Sequence, residues 1–320
     1  MSALAEEDDW VINEFAGVSL GDARRTKRLM QIVRDLSSQP TASFPQACGS
    51  KGALKACYRF FDTPSLEATD VLESHLWATH RRLSAESLVL VIQDTCELNY
   101  SHHPHTLGLG PLSRPGQQGL LMHSCLSMSP ERVPLGLIGQ KVWARDFSQI
   151  GKASTRKTQK IEDKESYKWL EGLDAVIAAK KACPSTALLT ICDREADLFD
   201  LFAKERPEGV DLLIRATHDR KVDQKACYLY KHVFSHPVVE RFALSLPRRK
   251  EQKAREAVLS LRFGSVVLCP PNHRRSEALD PIALSFVHVI EEEPPEANDP
   301  VEWLLLTSLC PQNTEEAREL

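Results

Sequence analysis

Ala187-Leu188-Leu189-Thr190-Ile191-Cys192-Asp193-Arg194-Glu195-Ala196-Asp197 is the stretch on which the fold turns. Its first six residues form an apolar, β-prone run of the kind that a strand buried on both faces requires. The run then stops in four charged residues out of five. Two readings of Asp193 are open: it caps a helix running from Glu195 to Phe202, or it is a site residue held at the tip of a rigid strand. On this stretch alone, capping is favoured. A second acid on a second buried strand shifts the balance, because paired carboxylates on strands can share divalent cations. Ser87-Leu88-Val89-Leu90-Val91-Ile92-Gln93-Asp94-Thr95 supplies it: five consecutive apolar residues, then Gln93 and the acid Asp94.

Outward from these strands the order is mixed α/β. Leu120 to Met128 and Val133 to Val142 read as strands split by Ser129-Pro130-Glu131-Arg132, which has hairpin character. Residues 102–118, rich in His, Pro and Gly, read as a loop. From Asp163 to Ala182, Trp169, Leu173, Val176 and Ile177 recur at helical spacing and mark a core-facing stripe. Val210 to Ile214 makes a short strand ending at Arg215. Beyond it the pattern changes to β-type runs at Phe242–Leu246, Ala257–Phe263, Ser265–Leu268 and Ile282–Ile290, separated by turn signals. They predict an antiparallel β-rich insertion over about 216–300, with Arg248-Arg249-Lys250-Glu251-Gln252-Lys253-Ala254-Arg255 as a basic hairpin or loop. Val301-Glu302-Trp303-Leu304-Leu305-Leu306-Thr307-Ser308 is a further buried strand, and Asn313 to Leu320 a capped helix start. Lys152, Arg156, Lys157 and Lys160 give residues 144–162 the character of a basic loop.

The first 65 residues read as a separate helical unit ahead of a core spanning 66–320. Arg24, Arg25, Lys27 and Arg28 place four basic residues in five positions. Lys51, Lys55 and Arg59 share one face of a second helix. For either helix alone a solvated surface is the ordinary account; two such faces in one small unit point to DNA.

Composition sets the outer bounds. At 320 residues, 42% apolar and 26% charged, the chain has globular composition and room for a sizeable core. A net charge of −4 does not advertise a nucleic-acid partner, so the argument rests on where the cations sit. No run is long and apolar enough to span a membrane, and the N-terminus lacks a secretory leader, so a cytoplasmic location is expected. The nine cysteines are scattered without a C-x-x-C pair, which argues against a zinc site or a disulfide framework. Cys125 and Cys192 read as small core residues.

In order along the chain, Leu20-Gly21-Asp22-Ala23-Arg24-Arg25-Thr26-Lys27-Arg28-Leu29, Gly49-Ser50-Lys51, Ala56-Cys57-Tyr58-Arg59-Phe60, Asp94-Thr95, His123-Ser124, Lys164-Glu165-Ser166, Lys168-Trp169-Leu170, Cys192-Asp193-Arg194-Glu195-Ala196-Asp197, Tyr228-Leu229-Tyr230 and Trp303-Leu304-Leu305-Leu306-Thr307-Ser308 form a set. This set resembles the bacterial insertion-sequence transposases of the DDE type, in the Tn-five-like (IS-four) branch. The resemblance implies an RNase H-like mixed-sheet core, a helical DNA-binding domain that recognises transposon ends, and the β-rich insertion. It implies that Asp94 and Asp193 bind Mg²⁺ (or Mn²⁺) for phosphoryl transfer. It also implies that Trp303 stacks a flipped base and that Arg215 contacts DNA, with Arg248, Arg249 and Lys250 counted among the DNA contacts. For Trp303 a core strand position stays open.

The family's third acid is a Glu on a helix after the Trp303 strand, within a Tyr-x-x-Arg-x-x-x-Glu-x-x-x-x-x-x-Lys signature. Glu315, Glu316 and Glu319 fall too early and lack the Tyr and Arg partners. The family also forms homodimers through a C-terminal region that has no counterpart here. The expectation is therefore a cut-and-paste transposase that lacks its third acid and is inactive alone. The alternatives are a non-catalytic DNA-binding inhibitor of transposition and an unrelated metal-dependent nuclease on the same fold.

Overall fold

A computed structural model describes residues 9–103, 105–149, 160–222, 227–248, 253–295 and 300–320. The chain begins with five helices: α1 (Trp10–Phe15), α2 (Ala23–Ser38), α3 (Phe44–Ala47), α4 (Lys51–Phe61) and α5 (Ala68–Leu83). Their starts are written in the sequence. Asp9, Asp22 and Ser50 accept from the backbone N–H groups of Val11, Arg24 and Ala53, satisfying donors that helix geometry leaves unpaired. Gly21 and Gly49, each just before a cap, adopt φ of +74° and +66°, which costs a glycine little. Val11, Phe15, Leu20, Leu29, Ile32, Cys48, Cys57 and Phe60 close one helical core.

A polar clip joins this unit to the rest. Glu14 on α1 pairs with Arg82 on α5 through Nη1–Oε2 (2.7 Å) and Nη2–Oε1 (3.1 Å), and also binds His75 Nδ1. Burial opposes the charge on Glu14, but the Arg82 and His75 contacts hold its carboxyl below the usual range. Arg82 Nε donates to Leu135 O, and Leu137 N donates to His75 Nε2 (2.8 Å). The clip thus reaches from α1 across residue 65 into the sheet.

The sheet comprises β1 (Leu88–Asn99), β2 (Gly110–Pro111), β3 (Gln118–Met128), β4 (Pro134–Trp143), β5 (Ala187–Cys192), β6 (Val210–Arg215), β7 (Lys221–Val222), β8 (Cys227–Tyr228), β9 (Glu240–Leu246), β10 (Arg255–Leu268), β11 (Ile282–Glu291) and β12 (Glu302–Thr307). Helix α6 (Lys168–Ala182) precedes β5, α7 (Phe199–Ala203) precedes β6, α8 (Leu229–Phe234) follows β8, and α9 (Thr314–Glu319) follows β12. The path is β2-β3-β1-β5-β6-β12-β11-β10-β7-β8, with β4 paired to β3 and β9 to β10. Among the described residues only β1–β5 and β5–β6 are parallel. The chain is α/β with one large mixed sheet.

Three expectations are corrected. Asp94 does not end its strand, since β1 runs on to Asn99 and keeps its pairing with β3. The β-type runs after residue 216 join the main sheet through β12, which lies between β6 and β11, and α8 stands among them. The break expected at Gly264 is absent, since β10 runs straight through it. A Cβ there would come within 2.8 Å of the His236 ring and 3.1 Å of Phe286, so packing and not a turn requires the glycine.

Strand alternation divides the sheet into two faces. Val89, Val91, Gln93, His123, Cys125, Leu188, Thr190 and Cys192 are buried, and Trp169, Leu173 and Val176 of α6 share their core. Helix α8 covers the same face farther along, where His232 meets Phe286. The opposite face carries α9, whose Ala317 packs with Leu261 and Val287. On that face Leu189 is buried, but Leu90, Ile92, Leu126, Met128 and Ile191 are only half-buried. The two runs read as fully buried strands are therefore less completely covered on this face. Burial pushes the Cys125 thiol up to about 12, as befits a small core residue.

Candidate active site and DNA interface

Parallel register decides how the two acids meet. Gln93 lies opposite Cys192, so the next residue on each chain, Asp94 and Asp193, turns to the other face side by side, about one strand spacing (~4.8 Å) apart. Both are exposed. Asp94 Oδ1 accepts from Thr95 N (2.7 Å) and Asp193 Oδ1 from Glu195 N (2.9 Å).

Asp193 thus does act as a cap, but of a 3-10 turn, Arg194–Ala196, and not of a helix from Glu195 to Phe202. Helix α7 starts only at Phe199. The cause is Asp197, buried and anchored to the loop after β6. It accepts from Thr217 N (2.8 Å), His218 N (2.9 Å) and Arg220 (2.6 and 3.1 Å). Those bonds hold the backbone at Asp197 at ψ 68°, outside the helical region.

Arg215 extends the row. Cys192 faces Ile214 across the β5–β6 pair, so Asp94, Asp193 and Arg215 stand at one level on three adjacent strands. Arg215 Nη2 donates to Glu302 O (3.0 Å). Burial and the nearby Arg194 charge lower its pKa, against Asp193, Tyr230 and Glu302. Arginine stays charged under such shifts. Burial and Glu302 raise the Tyr230 hydroxyl, against Arg194 and Arg215. Arg194 and Tyr230 thus lie near Arg215, which in turn is near Asp193. Trp303 lies on β12 on the same face, two strands beyond β5, or about 10 Å laterally. It is 39% exposed, which excludes a core position.

Behind the acids lies a buried support. His123 Nε2 donates to Gln93 Oε1 (3.1 Å) and Nδ1 accepts from the Thr95 hydroxyl (2.9 Å). Its ring meets Trp169 edge-on at 4.7 Å. Burial, together with the Lys168 and Lys141 charges and against Asp94, pushes its pKa down to about 4. An unfolded histidine titrates near 6.5. A depressed folded value means stability that is complete above about pH 6.5 and is lost as pH falls toward 4, because the unfolded chain takes up the proton first. His123→Gln should flatten this part of a denaturant-unfolding pH profile; an unchanged slope between pH 6.5 and 4 would contradict the assignment.

The N-terminal unit presents its cations on α2 and α4. Arg24, Lys27, Lys51, Lys55 and Arg59 are exposed. Neither helix has an acid in its first turn, and basic residues there oppose the helix dipole. A local arrangement that costs stability is a mark of function. Tyr58, Phe61 and Phe44 are also exposed nearby, with Phe44 against Phe61 at 6.0 Å. Two members of the cluster differ from the rest. Arg25 Nη1 donates to Leu20 O (3.2 Å) and Ser65 Oγ (3.1 Å), binding α2 to the segment after α4. Arg28 is half-buried, in electrostatic reach of the buried Cys57 thiol. Arg248 is exposed after β9. Arg249 and Lys250, with Lys152, Arg156 and Lys157 of the expected basic loop, lie outside the described residues.

The residues that sequence reading left without a role are Lys168, Glu195, Arg194, His123 and Tyr230. Lys168 carried one usable signal, a charge beside Trp169 in a stripe otherwise bound for the core.

Among the described residues no three His, Cys, Asp or Glu side chains cluster in metal-binding geometry. Two adjacent, exposed carboxylates still suit a hard cation, since Mg²⁺ is commonly held by one or two carboxylates with water and substrate phosphates completing its shell. No helix among these residues is long and apolar enough to cross a membrane. Residues 7–66, spanning α1 to α4 with their exposed cations, match the family described as transposase DNA-binding, which supports a transposase with DNA as its partner.

Proposed function

We propose that the chain is an insertion-sequence transposase of the DDE type, in the Tn-five-like branch. Its helical unit binds transposon ends, and its sheet is an RNase H-like core extended by the β-rich strands. The observation that carries the reading is the row Asp94, Asp193 and Arg215 on three adjacent strands. The order β4-β3-β1-β5-β6, antiparallel then parallel, supports it.

Asp94 and Asp193 would hold Mg²⁺, and the bound ion would supply Lewis acidity for an in-line phosphoryl displacement by a water or a DNA 3′-hydroxyl. Arg215 and Arg194 offer positive charge to the phosphate beside the pair. Trp303, exposed on the same face, offers a stacking surface for an unpaired base. The cations of α2 and α4 fix the duplex by phosphate contacts.

The α9 glutamates do not join the acids. Ala317 of α9 packs with Leu261 and Val287, Arg318 bonds Glu240 on β9 (2.6 Å), and the Glu316 carboxylate accepts from Gln312 N and Asn313 Nδ2. This favours a second reading, in which these 320 residues occupy DNA ends without cutting. The purified chain is expected to retard DNA carrying its element's ends and to give no Mg²⁺-dependent strand cleavage by itself. Cleavage that Asp193→Asn abolishes would overturn the non-cutting behaviour and establish the acid pair as catalytic.

A further inference from the structure

An unbroken series of ion pairs links strand β1, which carries Asp94, to the turn that carries Asp193. Glu97, three residues after Asp94, lies 3.5 Å from Arg145. Arg145 bonds Glu165 through Nε (2.6 Å) and Nη2 (2.7 Å). Glu165 lies 3.9 Å from Lys168 Nζ, and Lys168 Nζ lies 3.3 Å from Glu195 Oε2. Glu195 in turn donates its backbone N–H to Asp193. The outer members are solvated, whereas Lys168 is 5% exposed. Its ammonium sits 5.8 Å from the Trp143 ring centre and 5.6 Å from that of Trp169. A buried ammonium is costly unless it is paired, and here its partners are two carboxylates and two aromatic rings.

We infer that Lys168 is a positioning residue: through Glu195 it fixes the Asp193 turn, and through Glu165 and Arg145 it ties that turn to the end of β1, setting the spacing of Asp94 and Asp193. This rests on the reading of those acids as the metal-binding pair. Lys168 touches neither acid. Its influence passes through the Glu195 backbone, whose amide bond to Asp193 loses its anchor when the side chain is released. Groups that orient metal-binding carboxylates commonly change affinity by about 10- to 100-fold when removed.

Two measurements on the full chain test this. Hydrogen exchange over residues 193–198 reads the turn without metal. Lys168→Met and Glu195→Gln should each speed exchange at the Glu195 amide on the order of tenfold, while Lys168→Arg preserves protection. Mn²⁺ alone, followed by electron paramagnetic resonance, reads the pair. Both disruptive variants should weaken binding by about tenfold or more, and the double variant should be no worse than either single one, because they break one path. Unchanged exchange in Lys168→Met, or equal loss in Lys168→Arg, overturns the inference. Should Lys168→Met fail to fold, the exposed Glu195→Gln decides the matter. Mn²⁺ binding that Asp193→Asn leaves intact overturns the acid-pair reading instead, and the exchange data then judge Lys168 on their own.

Discussion

Alanine at Arg24, Lys27, Lys55 and Arg59 together lowers the affinity of the chain for end-bearing duplex DNA on the order of a hundredfold or more near physiological salt. Each cation that contacts a phosphate releases condensed counterions, so log K falls against log salt with a slope of about −0.9 per contact. Removing four contacts should therefore flatten that slope by roughly 3 to 4. These four are chosen because their side chains are exposed and because none of them is buried in the helical core; Arg24 loses only a long, solvated pairing with Asp22 (4.0 Å). Arg25→Ala is the contrasting case. It breaks the bonds to Leu20 O and Ser65 Oγ, so it should loosen the start of α2 and lower thermal stability. Titrations at several salt concentrations check both, and a quadruple variant with the wild-type slope refutes the assignment of α2 and α4 as the DNA-binding surface.

Asp197→Ala destabilises the fold by about 3–5 kcal/mol, the usual result of removing one partner from a buried ion pair. The Asp197 carboxylate is fully buried and bonds two backbone amides and the Arg220 guanidinium, itself 13% exposed. Without it the guanidinium and the N–H groups of Thr217 and His218 lose their acceptor. For a unit of this size the melting temperature should drop on the order of 10 °C. Asp193→Ala, four residues earlier, loses only an exposed cap and should cost about 1 kcal/mol. Thermal unfolding followed by circular dichroism separates them; equal melting temperatures for the two variants would remove Asp197 from its structural role. One aspartate of the pair shapes the turn, and the other is left free to act at the surface.

Much of the architecture was legible because its signals are local. The cap at Asn313 sits where the sequence placed it, and the Trp169, Leu173 and Val176 stripe faces the core. A cap or a stripe depends on residues three or four apart, so the chain itself carries the information. Gly264 shows the limit of that reading. As a local symbol it signals a break, yet the ring of His236, 28 residues away, gives it another purpose. The helix expected from Glu195 gave way for the same reason, since Asp197 answers to a loop more than 20 residues downstream.

The sequence by itself determined that Asp94 and Asp193 follow two apolar strand runs, that cations gather on two N-terminal helices, and that helices and strands alternate; that β1 carries on past Asp94 to Asn99 it did not show. Only the tertiary structure decided that the acids stand together. Parallel pairing aligns Gln93 with Cys192 and so sends both following residues to one face, and a shift of one residue would have put one of the two on the opposite face. It also decided that Arg25 is a brace while Arg24 stays exposed, and that Lys168, a lysine at a helix start, is buried between two tryptophans and two glutamates. The physical reason is common to all of these: registry, burial and ion pairing depend on residues far apart in the chain, whereas a strand or a helix cap is settled within a few residues.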